Sequence, residues 1–133
     1  SCVDMGASVT MAKGAAEAGV HPSVAVIGDS TFMHSGLTGL VYIVEERTPM
    51  TLIIADNLTT GMTGGQPVAA AGRVEEIVKG LGVEPAHVHV IVPLPANHEA
   101  NVKLLRRELA YQGPSVIISR RECVVTARAG KQK

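Results

Sequence analysis

Asp29 and Asn57 are the residues of this chain whose types and spacing point most directly to chemistry. Asp29 sits in Gly28-Asp29-Ser30, directly after the apolar run Val24-Ala25-Val26-Ile27. A second apolar run, Met50 to Ala55, ends in Asp56-Asn57, so Asn57 lies 57 − 29 = 28 residues beyond Asp29. Short aliphatic runs of this kind read as buried strands. A carboxylate and a carboxamide therefore fall at the C-terminal ends of two strands, where an open α/β sheet binds its ligands. Hard oxygen donors suit Mg²⁺, which is usually held by one or two protein carboxylates and by the phosphates of a bound nucleotide or coenzyme. The implied ligand is a metal diphosphate. In the Gly28-Asp29-Ser30-Thr31 turn, Gly28 lets the backbone approach a phosphate, Ser30 and Thr31 add hydroxyls, and the next helix N-terminus favours negative charge. Taken alone, Gly-Asp-Ser is as readily a plain turn.

The elements that position these residues alternate. Gly6 to Ala18 carries Ala7, Val9, Met11, Ala12, Ala15 and Ala16 at close to helical spacing, with Gly19 as the C′ residue. Val24–Ile27 is the first strand. A helix follows from Ser35 or Gly36 to Glu46, with Leu37, Leu40, Val41 and Val44 on one face, and Met50–Ala55 is the second strand. Residues 57–72, rich in Thr and Gly with Pro67, have no period and read as an irregular loop of the length usually given to function. A helix over 73–81 turns Val74, Ile77, Val78 and Leu81 inward. Strands at Val88–Val92 and Val116–Ile118 flank a helix from Asn97, its N-cap, to Tyr111. Strand–helix alternation predicts an α/β fold, three α-β-α layers around a mostly parallel sheet with right-handed crossovers. The domain is expected over residues 1–119, with 120–133 a basic, fraying tail or a linker towards a further domain.

Composition narrows the class. In 133 residues, 46% are hydrophobic but only 2% aromatic, with no Trp, so the core must be built from aliphatic side chains. That suits a parallel sheet covered on both faces. Twelve basic residues balance twelve acidic ones, which gives no basic stripe for nucleic acid. No apolar stretch approaches the roughly 20 residues that cross a bilayer, and no signal peptide opens the chain, so a cytoplasmic setting is expected. Cys2 and Cys123 form no CxxC motif or disulfide framework and have no assignable role. The first residue, Ser1, suggests a piece of a longer polypeptide.

Gly28-Asp29-Ser30 followed about 25 residues later by Asp56-Asn57 resembles the diphosphate-binding signature of thiamine-diphosphate enzymes. The longer segments Gly28-Asp29-Ser30-Thr31-Phe32-Met33-His34-Ser35-Gly36 and Met62-Thr63-Gly64-Gly65-Gln66, with the Met5-Gly6-Ala7-Ser8 opening, resemble the 2-oxoacid:ferredoxin oxidoreductases, most closely the large subunit of those acting on indolepyruvate. The resemblance implies a thiamine-diphosphate-binding fold with Mg²⁺ on Asp29, Asn57 and the main-chain carbonyl of Thr59. It implies coenzyme contacts from Met5, Gly6, Gly28, Asp29, Ser30, Thr31, Asn57, Thr60, Met62, Thr63 and Gly64. The reaction it implies is oxidative decarboxylation of a 2-oxo acid such as an aryl pyruvate, with coenzyme A taking the acyl group and ferredoxin the electrons. It further implies iron–sulfur clusters elsewhere in the complex, a second oxidoreductase subunit, and a pyrimidine-binding domain or subunit that supplies an activating glutamate. This chain has neither that domain nor a CxxCxxC cluster after Cys123, and by itself is expected not to turn over.

Single residues admit two readings each. His34 could meet the substrate carboxylate or move a proton, or it could buttress the helix beginning near Ser35. Thr63 and Gly64 line the diphosphate or thiazolium, or are ordinary loop; Met62 packs on the thiazolium or fills space. His87 and His89 share a strand face but lack the further ligands zinc requires. His21, His98 and the Arg106-Arg107-Glu108 run read as solvated. Two rival functions remain: a non-oxidative thiamine-dependent decarboxylase or synthase, and a non-catalytic α/β interaction module.

Overall fold

The aliphatic runs assemble into a four-stranded parallel sheet in a computed structural model that describes residues 4–60, 66–67 and 72–123. The strands are β1 (Ser23–Gly28), β2 (Met50–Asp56), β5 (Val88–Ile91) and β6 (Ser115–Arg120), in spatial order β1-β2-β6-β5. α1 (Ala7–Glu17) precedes β1, and between the strands come α2 (Asp29–Thr31), α3 (Leu37–Glu45), α4 (Val74–Gly80) and α5 (His98–Ala110), because parallel neighbours need crossover connections. A small antiparallel ribbon, β3 (Thr59–Thr60) with β4 (Gln66–Pro67), follows β2. The register sets Ile27 beside Ile54 and Ile54 beside Ile118, so one sheet face is a continuous aliphatic surface.

That face packs with Val9 and Ala16 of α1, Leu40 and Ile43 of α3, and Val74 and Val78 of α4 into one core. The other face is covered by α5, whose Glu108 main-chain carbonyl accepts a hydrogen bond from Thr51 Oγ1. Ser115 to Ile118 of β6 are all buried, as a strand covered on both faces requires. This is the expected three-layer α/β architecture. At β1 the α5-side face is open, leaving Val24 and Val26 exposed.

Gly19 is the C′ residue as expected, at φ 88°: its N–H reaches the Ala16 carbonyl, and Val20 N–H reaches that of Ala15, a Schellman closure. Several local expectations change. The second helix begins at Asp29 rather than at Ser35. It runs through α2 and a π-helical segment, Phe32–Gly36, into α3, so Gly28-Asp29-Ser30-Thr31 enters a helix directly and is no turn. The widened π register resets the inward face, so Leu40 and Ile43 are buried and Val41 turns outward. Asn97 precedes α5 but caps nothing in it, because its Nδ2 donates to the Val92 carbonyl. Arg120, placed at the head of the tail, is the last residue of β6. Beyond it, the N–H groups of Arg121 and Cys123 donate to the Asp56 and Asn57 carbonyls.

Glu108, expected on a solvated face, is 1% exposed. It accepts from His87 Nδ1 at 2.8 Å, His89 Nε2 at 3.0 Å and Arg107 Nε at 2.9 Å, while the Tyr111 ring stacks on His87. Burial alone would push this carboxyl up. The hydrogen bonds from His87 and Arg107, with the histidine charges, outweigh burial and hold it below its ordinary range. Among the described residues, no three His, Cys, Asp or Glu side chains are grouped to hold a metal ion.

Candidate functional site

Asp29 is the first residue after β1 and is 3% exposed. Its Oδ1 accepts from the Ser30 N–H at 2.8 Å and its Oδ2 from the Leu58 N–H at 3.2 Å. The second bond ties the tip of β1 to the loop leaving β2, and so brings Asp29 against the segment that carries Asn57 and Thr59. Leu58 holds φ 61°, a left-handed conformation that costs a branched side chain about 1–2 kcal/mol. Strain of this kind persists where the surroundings over-determine it, and such places are often ligand sites. The Asn57 Oδ1 then accepts from the Thr59 N–H at 3.1 Å, closing an Asx turn.

Beside Asp29 stands a second acid. Gly28 pairs with Ala55, so the next positions, Asp29 and Asp56, are neighbours at adjacent strand tips. Asp56 in turn faces Arg120 across β6, and Arg120 Nε donates to Asp56 Oδ2 at 2.7 Å. The row across the sheet edge is thus carboxylate, carboxylate, guanidinium. Among the described residues, Asp56 Oδ1 and Arg120 Nη2 are buried with no hydrogen-bond partner. Burial holds the Asp29 carboxyl above its ordinary range, and both the charge of Asp56 and a side-chain hydrogen bond with it push the same way; the N–H groups of Ser30 and Leu58 oppose the rise. None of the ion pairs among the described residues includes Asp29.

These features fit a divalent cation carrying a diphosphate. The donors are hard oxygens, as Mg²⁺ requires, and each of the Asp29 and Asn57 oxygens retains a lone pair beyond its one hydrogen bond. Gly28 has φ −75°, open to any residue, and a Cβ there would meet nothing within 4 Å. The fold does not need a glycine at this position, and its absence of a side chain leaves open space beside Asp29.

The remaining expected residues are arranged unevenly. Ser30 and Thr31 are half-buried in α2. Ser35 Oγ donates to the carbonyls of Met5 and Thr31, which fastens the Met5-Gly6 opening onto the π-helical segment that carries His34. Gly6 at φ 101° is required there, since a Cβ would collide with Ser35 Oγ. His34 and Met5 are exposed. Thr59 is buried in β3, and Thr60 is described by its backbone alone. Met62, Thr63 and Gly64, like Cys2, lie outside the described residues. The sequence reading missed the Asp56–Arg120 pair, although both residues end apolar runs; that shared position was the available signal.

Residues 1–119 match the family model of the thiamine pyrophosphate enzyme C-terminal TPP-binding domain. The chain belongs to this family. Among its curated relatives, the indolepyruvate oxidoreductase subunit IorA of Archaeoglobus fulgidus is 40% identical over 91% of this chain. The subunit of the same name from Methanothermobacter marburgensis is 36% identical over 96%. The chain spans only about a fifth of the length of either, 20% and 22%. Among solved structures, a 2-oxoglutarate:ferredoxin oxidoreductase from Magnetococcus marinus superposes with a TM-score of 0.70 at 14% identity, over 89% of this chain and 45% of that one. A thiamine diphosphate-dependent 4-hydroxybenzoylformate decarboxylase from Rhodococcus jostii gives 0.67 at 24% identity, over 89% and 23%. Both likenesses establish the thiamine-enzyme fold of this TPP-binding domain. None of its described helices is long and apolar enough to cross a membrane.

Proposed function

We propose that this TPP-binding domain holds the diphosphate of thiamine diphosphate through Mg²⁺ on Asp29, Asn57 and the Thr59 carbonyl, within an oxidoreductase that oxidatively decarboxylates 2-oxo acids such as indolepyruvate. The carrying observation is the Asp29 carboxylate, buried at the β1 tip with no cationic partner among the described residues and bonded to the strained loop that presents Asn57 and Thr59. When bound, the coenzyme supplies the electron sink for loss of CO₂. The chain's share is positional. Asp29 and Asn57 fix the cation, Gly28 and the helix entered at Ser30-Thr31 admit the phosphates, and Thr60, Met62, Thr63 and Gly64 are the further coenzyme contacts of this reading. Ser35 holds Met5 and Gly6 at the edge of the site. Exposed His34 is the proposed proton donor or carboxylate contact, open to substrate from the solvent side.

Carried to the larger protein, the reading includes ferredoxin as electron acceptor, coenzyme A as acyl acceptor, iron–sulfur clusters on other segments, a second subunit and a pyrimidine-binding domain, in a cytoplasmic setting. The identity to IorA subunits supports the oxidative chemistry over a non-oxidative decarboxylase; iron–sulfur absorbance of the intact protein separates the two.

A thermal-shift experiment tests the site. Mg²⁺ and thiamine diphosphate together are expected to raise the midpoint by mass action, about 2.7 kcal/mol at a hundredfold excess over Kd. Asp29→Ala is expected to abolish the rise. An equal rise in wild type and Asp29→Ala would place the coenzyme elsewhere.

A further inference from the structure

The Asp56–Arg120 pair lies outside the ligand set assigned above, and its bonding is incomplete in a telling way. A guanidinium and a carboxylate normally close a two-bond fork. Here Nε and Oδ2 meet at 2.7 Å, while Nη2 and Oδ1 are each buried and unpartnered among the described residues. A buried anionic oxygen without a partner is costly, and the Asp56 side chain is only 1% exposed. The register puts this open oxygen in the row that begins with Asp29.

We propose that Asp56 is a positioning residue of the cation site: Arg120 anchors one of its oxygens, and the other is kept open so that its charge draws and holds the divalent cation beside Asp29. The inference rests on the reading of Asp29 as a cation ligand and adds to it a division of labour between neighbouring acids. Two buried carboxylates side by side repel one another. Arg120 offsets one of the two charges permanently, and the cation offsets the other only when it is bound. An empty site then keeps one net negative charge, enough to attract Mg²⁺. Without Arg120 it would keep two.

The test is Mn²⁺ uptake by the intact protein in saturating thiamine diphosphate, read as free Mn²⁺ by electron paramagnetic resonance. Asp56→Asn keeps an acceptor oxygen for Arg120 and removes only the charge, and is expected to weaken Mn²⁺ binding about tenfold or more. Arg120→Gln removes the opposing charge and is expected to tighten it about threefold or more. A pair that serves only as a strut weakens binding in both variants or in neither, so the opposite signs are what a structural role does not produce. If Asp56→Asn binds Mn²⁺ as wild type does, or Arg120→Gln weakens it, the inference is overturned. Should Asp56→Asn fail to fold, the sign of the Arg120→Gln change decides. Uptake that needs Asp29 yet ignores Asp56 overturns this inference alone. Uptake unaffected by Asp29→Asn overturns the diphosphate-site reading as well.

Discussion

The two ends of the sheet treat buried acids in opposite ways. Near the start of β5, Glu108 accepts from two histidines and an arginine, and its carboxyl is held below its ordinary range. At the C-terminal tips, Asp29 accepts from two backbone N–H groups and meets the like-charged Asp56, Asp56 keeps an oxygen without a partner among the described residues, and the Asp29 carboxyl is pushed up. Burial is nearly the same for all three. What differs is completion. The acid that fastens α5 to the sheet is saturated by its partners, whereas the acids of the proposed cation site are bonded less completely.

The sharpest way to break the contrast is to remove one acid from each end. Glu108→Ala strands His87, His89 and Arg107 around a cavity and is expected to cost about 3–5 kcal/mol of unfolding free energy, the usual result of breaking a buried pair. Asp29→Asn removes a charge the fold does not offset but turns an amide NH₂ towards one of the two backbone N–H donors, and is expected to cost about 1–3 kcal/mol when no cation is present. Urea unfolding of both variants checks the difference. Comparable losses would erase the distinction between the two ends.

A pH series sharpens the same point. The folded Glu108 carboxyl titrates below its ordinary value of 4.5. Its contribution is therefore complete above that value and is lost as pH falls through the folded value. Stability of the wild-type chain is expected to decline with acid in this window, and Glu108→Gln to flatten the decline. A Glu108→Gln profile parallel to wild type would assign the acid sensitivity to other groups.

The smallest expected effect concerns the ring that closes the saturated cluster. Tyr111 stacks on His87 with centroids 3.5 Å apart and planes 9° from parallel. Tyr111→Leu is expected to cost about 0.5–1.5 kcal/mol beyond lost area. Gly113→Ala should reproduce part of that loss, because its Cβ would stand 2.7 Å from the Tyr111 ring and displace it. Calorimetric midpoints of the two variants provide the check.

Much of this architecture was legible in the sequence, because aliphatic runs separated by helical periods leave a parallel sheet few alternatives. Gly19 announced the end of α1, and the positions of Asp29 and Asn57 directly after successive strands were legible as well. The helix beginning at Asp29 was hidden, since Ser30, Thr31, His34 and Ser35 interrupt the apolar period and a π-helical segment shifts its phase. Glu108 was misread for a similar reason. Within its own helix it follows Arg106 and Arg107 and looks solvated, but its partners His87 and His89 arrive from a different strand.

Local patterning, then, determined the strands and most of the helices, because each depends on neighbours within a turn or a pleat. Register across the sheet decided the rest. It set Asp56 between Asp29 and Arg120, whose partner lies 64 residues away in the chain, and it buried Glu108 among donors from another element. Charge balance at a buried site is a sum over elements that meet only in the folded state, and no stretch of sequence contains it.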